Sequence, residues 1–229
     1  MTEPSPHITD DARPLAPGRR PGTTQAREIA RLQALVARTA GPQPWRRAFH
    51  AANGVAIAAV LVWWPYSHAV ALGGLATIVA ALLAFDLVRL RVTAANALFF
   101  GLLTPLASPR EARGIASSTW YMMGITLAVA AAPGAVAVSA ILVMALADPA
   151  ASYYGRRWGR RPFMGGTVEG SAVFLLVALA VLLPRHAFPV AAVVAVMATL
   201  LERRSWPLDD NLAVPVSCAL VLKLMESWI

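Results

Sequence analysis

The apolar residues of this chain come in long blocks, not in the alternating or 3.6-residue stripes of a soluble core. A helix needs roughly 17–25 apolar residues to cross a bilayer. Seven segments meet or approach that length: 48–64, 68–88, 115–132, 134–149, 168–183, 187–201 and 212–228. An eighth, 93–107, is broken by Pro105 and flanked by arginines, so it reads as a re-entrant or interfacial helix. Composition agrees: 58% of the residues are hydrophobic and only 14% charged, whereas soluble domains carry about 25% charge. The expected fold is all-α: a polytopic integral membrane protein of about seven transmembrane helices plus that interfacial element.

Charge sets the orientation. The net charge is +8, which by itself suits nucleic acid. The arginines, however, sit between the apolar blocks, where they mark cytoplasmic loops, and no nucleic-acid partner is expected. With the N-terminus inside and 93–107 not crossing, all but Arg185 and Lys223 of the 20 basic residues fall on the cytoplasmic side. Lys223 is the only lysine, and no GxxxxGK[ST] phosphate loop exists. Cys218 is the only cysteine, which excludes an intrachain disulfide.

Residues 1–45 form a polar tail without the apolar core of a secretory signal, and 46–229 a membrane domain. Positions 1–23 read as disordered. In 24–39, Ile29, Leu32, Leu35 and Val36 share a helical face. Both an interfacial helix and a solvated, frayed one fit that pattern.

Four polar clusters fall at the expected cytoplasmic boundary. In the first, Arg46, His50 and Gly54 line one face, with Asn53 adjacent. Arg46 and Arg47 also suit a basic membrane edge, and His50 a packed histidine. In the second, Asp148 ends an apolar block, and Gly155 and Gly159 open a loop carrying Arg156, Arg157, Arg160 and Arg161. An acid followed by glycines and arginines suits a metal–polyphosphate group; orientation-setting arginines explain the charges alone. In the third, Thr167 is placed to cap a helix whose first turn holds Glu169, after Gly165 and Gly166. Such a start attracts phosphate, and the acid fits if Mg²⁺ bridges the two; otherwise it answers the helix dipole. In the fourth, Asp209, Asp210 and Asn211 precede the last span. They suit metal or ribose contacts, or an Asx turn and cap.

At these residues the chain resembles the CTP-dependent polyprenol kinase family, which includes dolichol, phytol and yeast-type diacylglycerol kinases. It is more distantly similar to phosphatidate cytidylyltransferases. The resemblance rests on Arg46-Arg47-Ala48-Phe49-His50, Arg110-Glu111, the segment from Asp148 to Gly159, Thr167-Val168-Glu169-Gly170-Ser171, and Glu202 with Asp210-Asn211 and Pro215. Gly166 stands where the family has a lysine.

The resemblance implies transfer of the γ-phosphate of CTP, with Mg²⁺, to a membrane lipid alcohol on the cytoplasmic face. It implies Asp148, Glu169 and Asp210 around the metal. Arg156, Gly159, Arg160, Thr167, Gly170, Ser171 and Asn211 would lie about the nucleotide, with Arg160 or Arg161 replacing the lysine charge. Glu202 would support metal or nucleotide, and His50 would sit near the acceptor hydroxyl. Arg46, Arg47, Asn53 and Glu111 are further candidates. The competing readings are a cytidylyltransferase that forms a CDP-lipid and a non-catalytic or transport protein.

Overall fold

A computed structural model describes residues 23–41, 43–63, 67–203 and 209–227. Among them are nine helices: α1 Thr23–Arg38, α2 Pro44–Trp63, α3 His68–Arg91, α4 Thr93–Leu102, α5 Ser117–Ala131, α6 Ala135–Trp158, α7 Val168–Leu182, α8 Phe188–Arg203 and α9 Asp210–Glu226. A 3-10 turn spans Pro109–Ala112, and a hairpin pairs β1, Pro162–Phe163, with β2, Gly166–Thr167. The hairpin turns through Met164 and Gly165, both at positive φ. The expectations for residues 1–22, Trp64 and Arg204 lie outside the described residues.

The all-helical expectation holds. Helix α6 is the axis of the bundle, with α2, α5, α7 and α9 packed against it. Its buried side includes Ala137, Ala140, Ala147 and Ala151, small residues that let neighbouring backbones come close. Helix α8 rests on α7 and α9, and α3 on α4 and α5. Gly124 of α5 faces α9, where an added Cβ would strike the Asn211 carbonyl and lie 2.9 Å from Pro215 Cγ. Proline at 215 cannot donate to the carbonyl one turn earlier, which is that of Asn211. Gly124 thus fits the surface that the proline leaves. Gly124→Val is expected to force α5 from α9 and lower thermal stability, read as the melting temperature of the detergent-solubilised chain.

Two helices, α3 and α6, are long and apolar enough to cross a membrane. They differ in setting. Most of α6 is covered by protein, whereas α3 leaves Val70, Ile78, Phe85, Leu87 and Val88 exposed. Segment 93–107 is helical from Thr93 to Leu102 and then turns. Helix α1 packs on α4, with Leu32, Leu35 and Val36 against Phe99, Phe100, Ala107 and Ala116. It is therefore docked, not frayed, while Ile29 remains exposed.

Two expectations need correction. Helix α6 continues to Trp158, so Gly155, Arg156 and Arg157 are helical and the loop begins only after them. Arg89, taken as a loop charge, is fully buried. Its Nε donates to Asp86 Oδ1 (2.6 Å), and its other nitrogens donate to Asn96 Oδ1 (3.1 Å) and to the carbonyls of Glu111 (2.6 Å) and Gly114 (2.8 Å). Asp86 Oδ2 accepts from Ala116 N (3.1 Å) and Thr119 Oγ1 (2.6 Å). The guanidinium also lies over the Phe99 ring, 4.4 Å from its centroid. Each charge in the pair has hydrogen-bond partners, the condition under which burial is tolerated. The network ties α3, α4, the 3-10 turn and α5 into one unit.

Candidate functional site

Four helix ends and the hairpin meet at one end of the bundle. Asp148 lies in the second half of α6, one residue before Pro149, which leaves the Ala145 carbonyl without its helical donor. Its electrostatic neighbours are Arg47 and Arg46 of α2, Arg203 of α8 and Asp209. Glu202 and Asp210 in turn feel the charge of Asp148. The structure thus brings together Arg46, Arg47, Asp148, Glu202 and Asp210. Arg203 joins them, a residue read from sequence only as a loop charge.

Glu169 stands apart from that group. Its carboxylate turns to the loop and accepts from the backbone N–H groups of Arg160 (3.1 Å) and Arg161 (3.4 Å). The side chains of Arg156, Arg160 and Arg161 are exposed, and Arg156 donates to Ser152 Oγ (3.1 Å). Among the described residues, no three His, Cys, Asp or Glu side chains are arranged to hold a metal ion.

The start of α7 is closed by its own chain. Thr167 Oγ1 accepts from Gly170 N (3.1 Å), so the expected cap is present. Val168 N donates to the Arg161 carbonyl (2.9 Å), and Ser171 Oγ to the Thr167 carbonyl (3.2 Å). Gly159 and Gly170 serve contact between α6 and α7. A Cβ at 159 would lie 2.5 Å from Thr167 Cγ2, and one at 170 would lie 3.1 Å from the Ala151 carbonyl. In the fourth cluster Asp209 caps α9, accepting from Asn211 N (3.1 Å) and Asn211 Nδ2 (2.6 Å). Asp210 Oδ1 accepts from the same Asn211 N (2.9 Å) and Nδ2 (3.2 Å), so Asn211 is engaged with both acids. Glu111 is likewise engaged, accepting from Ser108 N (3.3 Å) and Ser117 N (3.2 Å).

Beside the charged group lies a cavity of about 470 Å³, walled by α2, α3, α4 and α5. This is within the roughly 300–1,000 Å³ of small-molecule sites. Its walls are mostly apolar, with Ile57, Ile78, Leu82 and Leu103 among them, while Arg46, His50, Asn53, Ser117 and Ser118 supply polar groups. His50 is buried and stacked on Tyr121, centroids 4.8 Å apart, and Tyr121 Oη donates to the His50 carbonyl (2.8 Å). Tyr121 is an electrostatic neighbour of Asp148, and His50 of Asp209, so cavity and charged group adjoin. A second cavity of about 390 Å³ between α2 and α3 shares Ile57 and Ile78 with the first. The two apolar cavities are thus neighbours, with Ile57 and Ile78 between them.

Two carboxyls at the site, beyond the ends of the expected spans, are shifted. Burial pushes Glu202 up to about 7, against the opposing effect of Arg203 and with reinforcement from Asp148. Burial, then the like charges of Asp148 and Asp209, raise Asp210 as well. A raised carboxyl adds stability that is fully present below its unfolded value, about 4.5 for Glu202, and lost as pH rises through about 7. Melting temperature in detergent is therefore expected to fall across that window. Glu202→Gln should lessen the slope; an unaltered slope would mean that Glu202 does not titrate there.

Searches of family models, curated proteins and solved structures find no match to this chain.

Proposed function

We propose that the chain is a polytopic membrane phosphotransferase of the CTP-dependent polyprenol kinase type, moving the γ-phosphate of CTP to a lipid alcohol. The observation that carries the reading is adjacency. A group of buried or half-buried carboxylates and arginines borders an apolar cavity, and a second apolar cavity lies next to it between α2 and α3. A charged nucleotide and a lipid hydroxyl can meet only where two such environments touch.

Mg²⁺ suits the donor set. Asp148 and Asp210 are hard oxygen ligands, and Asp148 raises the Asp210 carboxyl, as two carboxylates facing one space do. One or two carboxylates with substrate phosphates and water are what this ion commonly takes. Asp148 and Asp210 would hold it, Glu202 would support them, and Glu169 would not take part. The ion would supply charge neutralisation on the phosphates.

The chain's own residues do the rest by positioning, which phosphoryl transfer chiefly requires. The lipid tail lies in the apolar cavities, and its hydroxyl lies by His50 and Asn53. The hydroxyl oxygen bonds to the γ-phosphorus as the bond to the β–γ bridging oxygen breaks. CDP leaves, and the hydroxyl proton passes to an oxygen of the transferred phosphoryl group, with His50 orienting the hydroxyl.

The test is an assay of the detergent-purified protein with γ-labelled CTP against a panel of lipid alcohols. Label in the lipid and release of CDP are expected. Pyrophosphate release would mean a cytidylyltransferase instead, and no transfer from any nucleotide would end the enzymatic reading.

The seven-span topology belongs to the same proposal, with the N-terminus and charged group cytoplasmic and the C-terminus outside. Single-cysteine variants should be labelled from outside at position 185 but not at 110 or 157. External labelling at 110 would make 93–107 a true crossing and overturn that arrangement.

A further inference from the structure

Gly166 has no side chain, and Arg203 occupies the space one would fill. The Arg203 guanidinium carbon lies 2.6 Å from the ideal Cβ position and Nε 3.3 Å, with Nη1 closer still. Any other residue at 166 would expel the guanidinium from this seat. The Arg203 side chain is only 10% exposed. Its Nε lies 2.5 Å from Glu202 Oε2, yet the pair lacks the alignment of a hydrogen bond, and neither atom has another partner among the described residues.

Arg47 repeats the pattern from the other side. Its Nη1 is buried and has no hydrogen-bond partner among the described residues. Both arginines are electrostatic neighbours of Asp148. Buried donors without hydrogen-bond acceptors are costly, and at Arg47 the neighbouring Arg46 and Arg156 add like-charge repulsion. An oxygen-rich anion removes both costs, because the guanidinium fork takes two phosphate oxygens at once.

We propose that Arg203, seated over Gly166, and Arg47, which shares Asp148 with it as an electrostatic neighbour, form the polyphosphate-binding site of this chain. The proposal rests on the kinase reading for its physiological ligand, the triphosphate of a nucleotide, but not for the site itself. It also relocates the compensating charge. The side chains of Arg160 and Arg161 are exposed, and their backbone N–H groups serve Glu169. Arg203 is the cation that reaches the backbone at Gly166.

The probe is inorganic tripolyphosphate with Mg²⁺, titrated calorimetrically into the detergent-purified full chain. Arg203→Gln is expected to weaken binding about ten- to a hundred-fold, the loss of a charge-assisted contact. Gly166→Val, which leaves Arg203 present but fills its seat, should weaken binding to a similar degree. Arg160→Gln with Arg161→Gln should change it less than about twofold. Gly166→Lys should partly rescue Arg203→Ala by delivering the charge from the hairpin. Melting temperatures taken in parallel separate a structural role, which would move stability and leave affinity alone.

Unchanged affinity in Arg203→Gln, an equal loss in the Arg160/Arg161 variant, or no tripolyphosphate binding by the wild type would each overturn the site. Binding as expected with no transfer to any lipid would remove the kinase reading and leave the site standing. Lipid phosphorylation by Arg203→Gln at an unchanged KM for CTP would do the reverse.

Discussion

Asp148→Asn is expected to reduce phosphoryl transfer by about a hundred- to several-thousand-fold, roughly 3–5 kcal/mol of transition-state stabilisation. The change keeps the shape of the side chain and removes its charge. In this fold Asp148 is the electrostatic neighbour that Arg47, Arg203, Glu202 and Asp210 have in common. Loss of its charge would misplace the proposed Mg²⁺ and leave two arginines without their shared counter-charge. The comparison with Glu169→Gln is decisive. Glu169 binds the backbone of Arg160 and Arg161, so its loss should loosen the hairpin and cost far less turnover. Turnover is measured with labelled CTP, and folding by circular dichroism and melting temperature. Near-normal turnover in Asp148→Asn would make that residue structural. Equal losses at Asp148 and Glu169 would restore a site that includes both carboxylates.

Arg89→Leu should be the most damaging single change to stability, costing about 3–5 kcal/mol. It would strand Asp86 as an unpaired buried charge and release acceptors on Asn96, Glu111 and Gly114. A double variant, Asp86→Asn with Arg89→Met, should recover much of the loss, because it removes both charges together. Resistance to denaturant in detergent gives the reading. If Arg89 were only a cytoplasmic topology signal, the single change would leave denaturation almost untouched and alter orientation instead.

Helix positions were legible because each apolar block records one helix and its length directly. The exceptions have identifiable causes. The loop reads as opening at Gly155, since Gly155 and Gly159 punctuate a stretch that carries Arg156, Arg157, Arg160 and Arg161. Tertiary contact overrides those local signals: Gly155 lies against Thr167 and Gly170 of the next helix start, which gives α6 a reason to continue. The Asp86–Arg89 spacing, three residues apart at the edge of an apolar block, was a readable sign of pairing. Its backbone partners at Glu111 and Gly114 were not readable, because they arrive through a turn that no local pattern specifies. The site divides the same way. Asp148, Glu202 and Asp210 were recognisable as acids at block ends, and the cap at Thr167 from its type and place. That Glu169 turns away while Arg203 turns in depends on how the hairpin lies against the end of α8. Sequence spacing carries no information about that contact.

The Arg89 network also has a consequence for how the chain is made. Arg89 and Asp86 pair at once, being one helical turn apart, but most of their remaining partners come later. The Glu111 and Gly114 carbonyls lie 22 and 25 residues downstream of Arg89, and the Thr119 hydroxyl lies 33 residues downstream of Asp86. At roughly 5–20 residues per second of synthesis, that gap lasts on the order of a few seconds. During that time α3 carries an incompletely satisfied ion pair and cannot settle with both charges buried. The segment should therefore linger at the membrane surface or beside the insertion machinery until α5 emerges. Arrested nascent chains ending before and after residue 119 would differ accordingly, the shorter remaining extractable by alkali and the longer not. A polar lock that holds the finished bundle together would thus also act, in the ribosome's time frame, as a checkpoint on insertion.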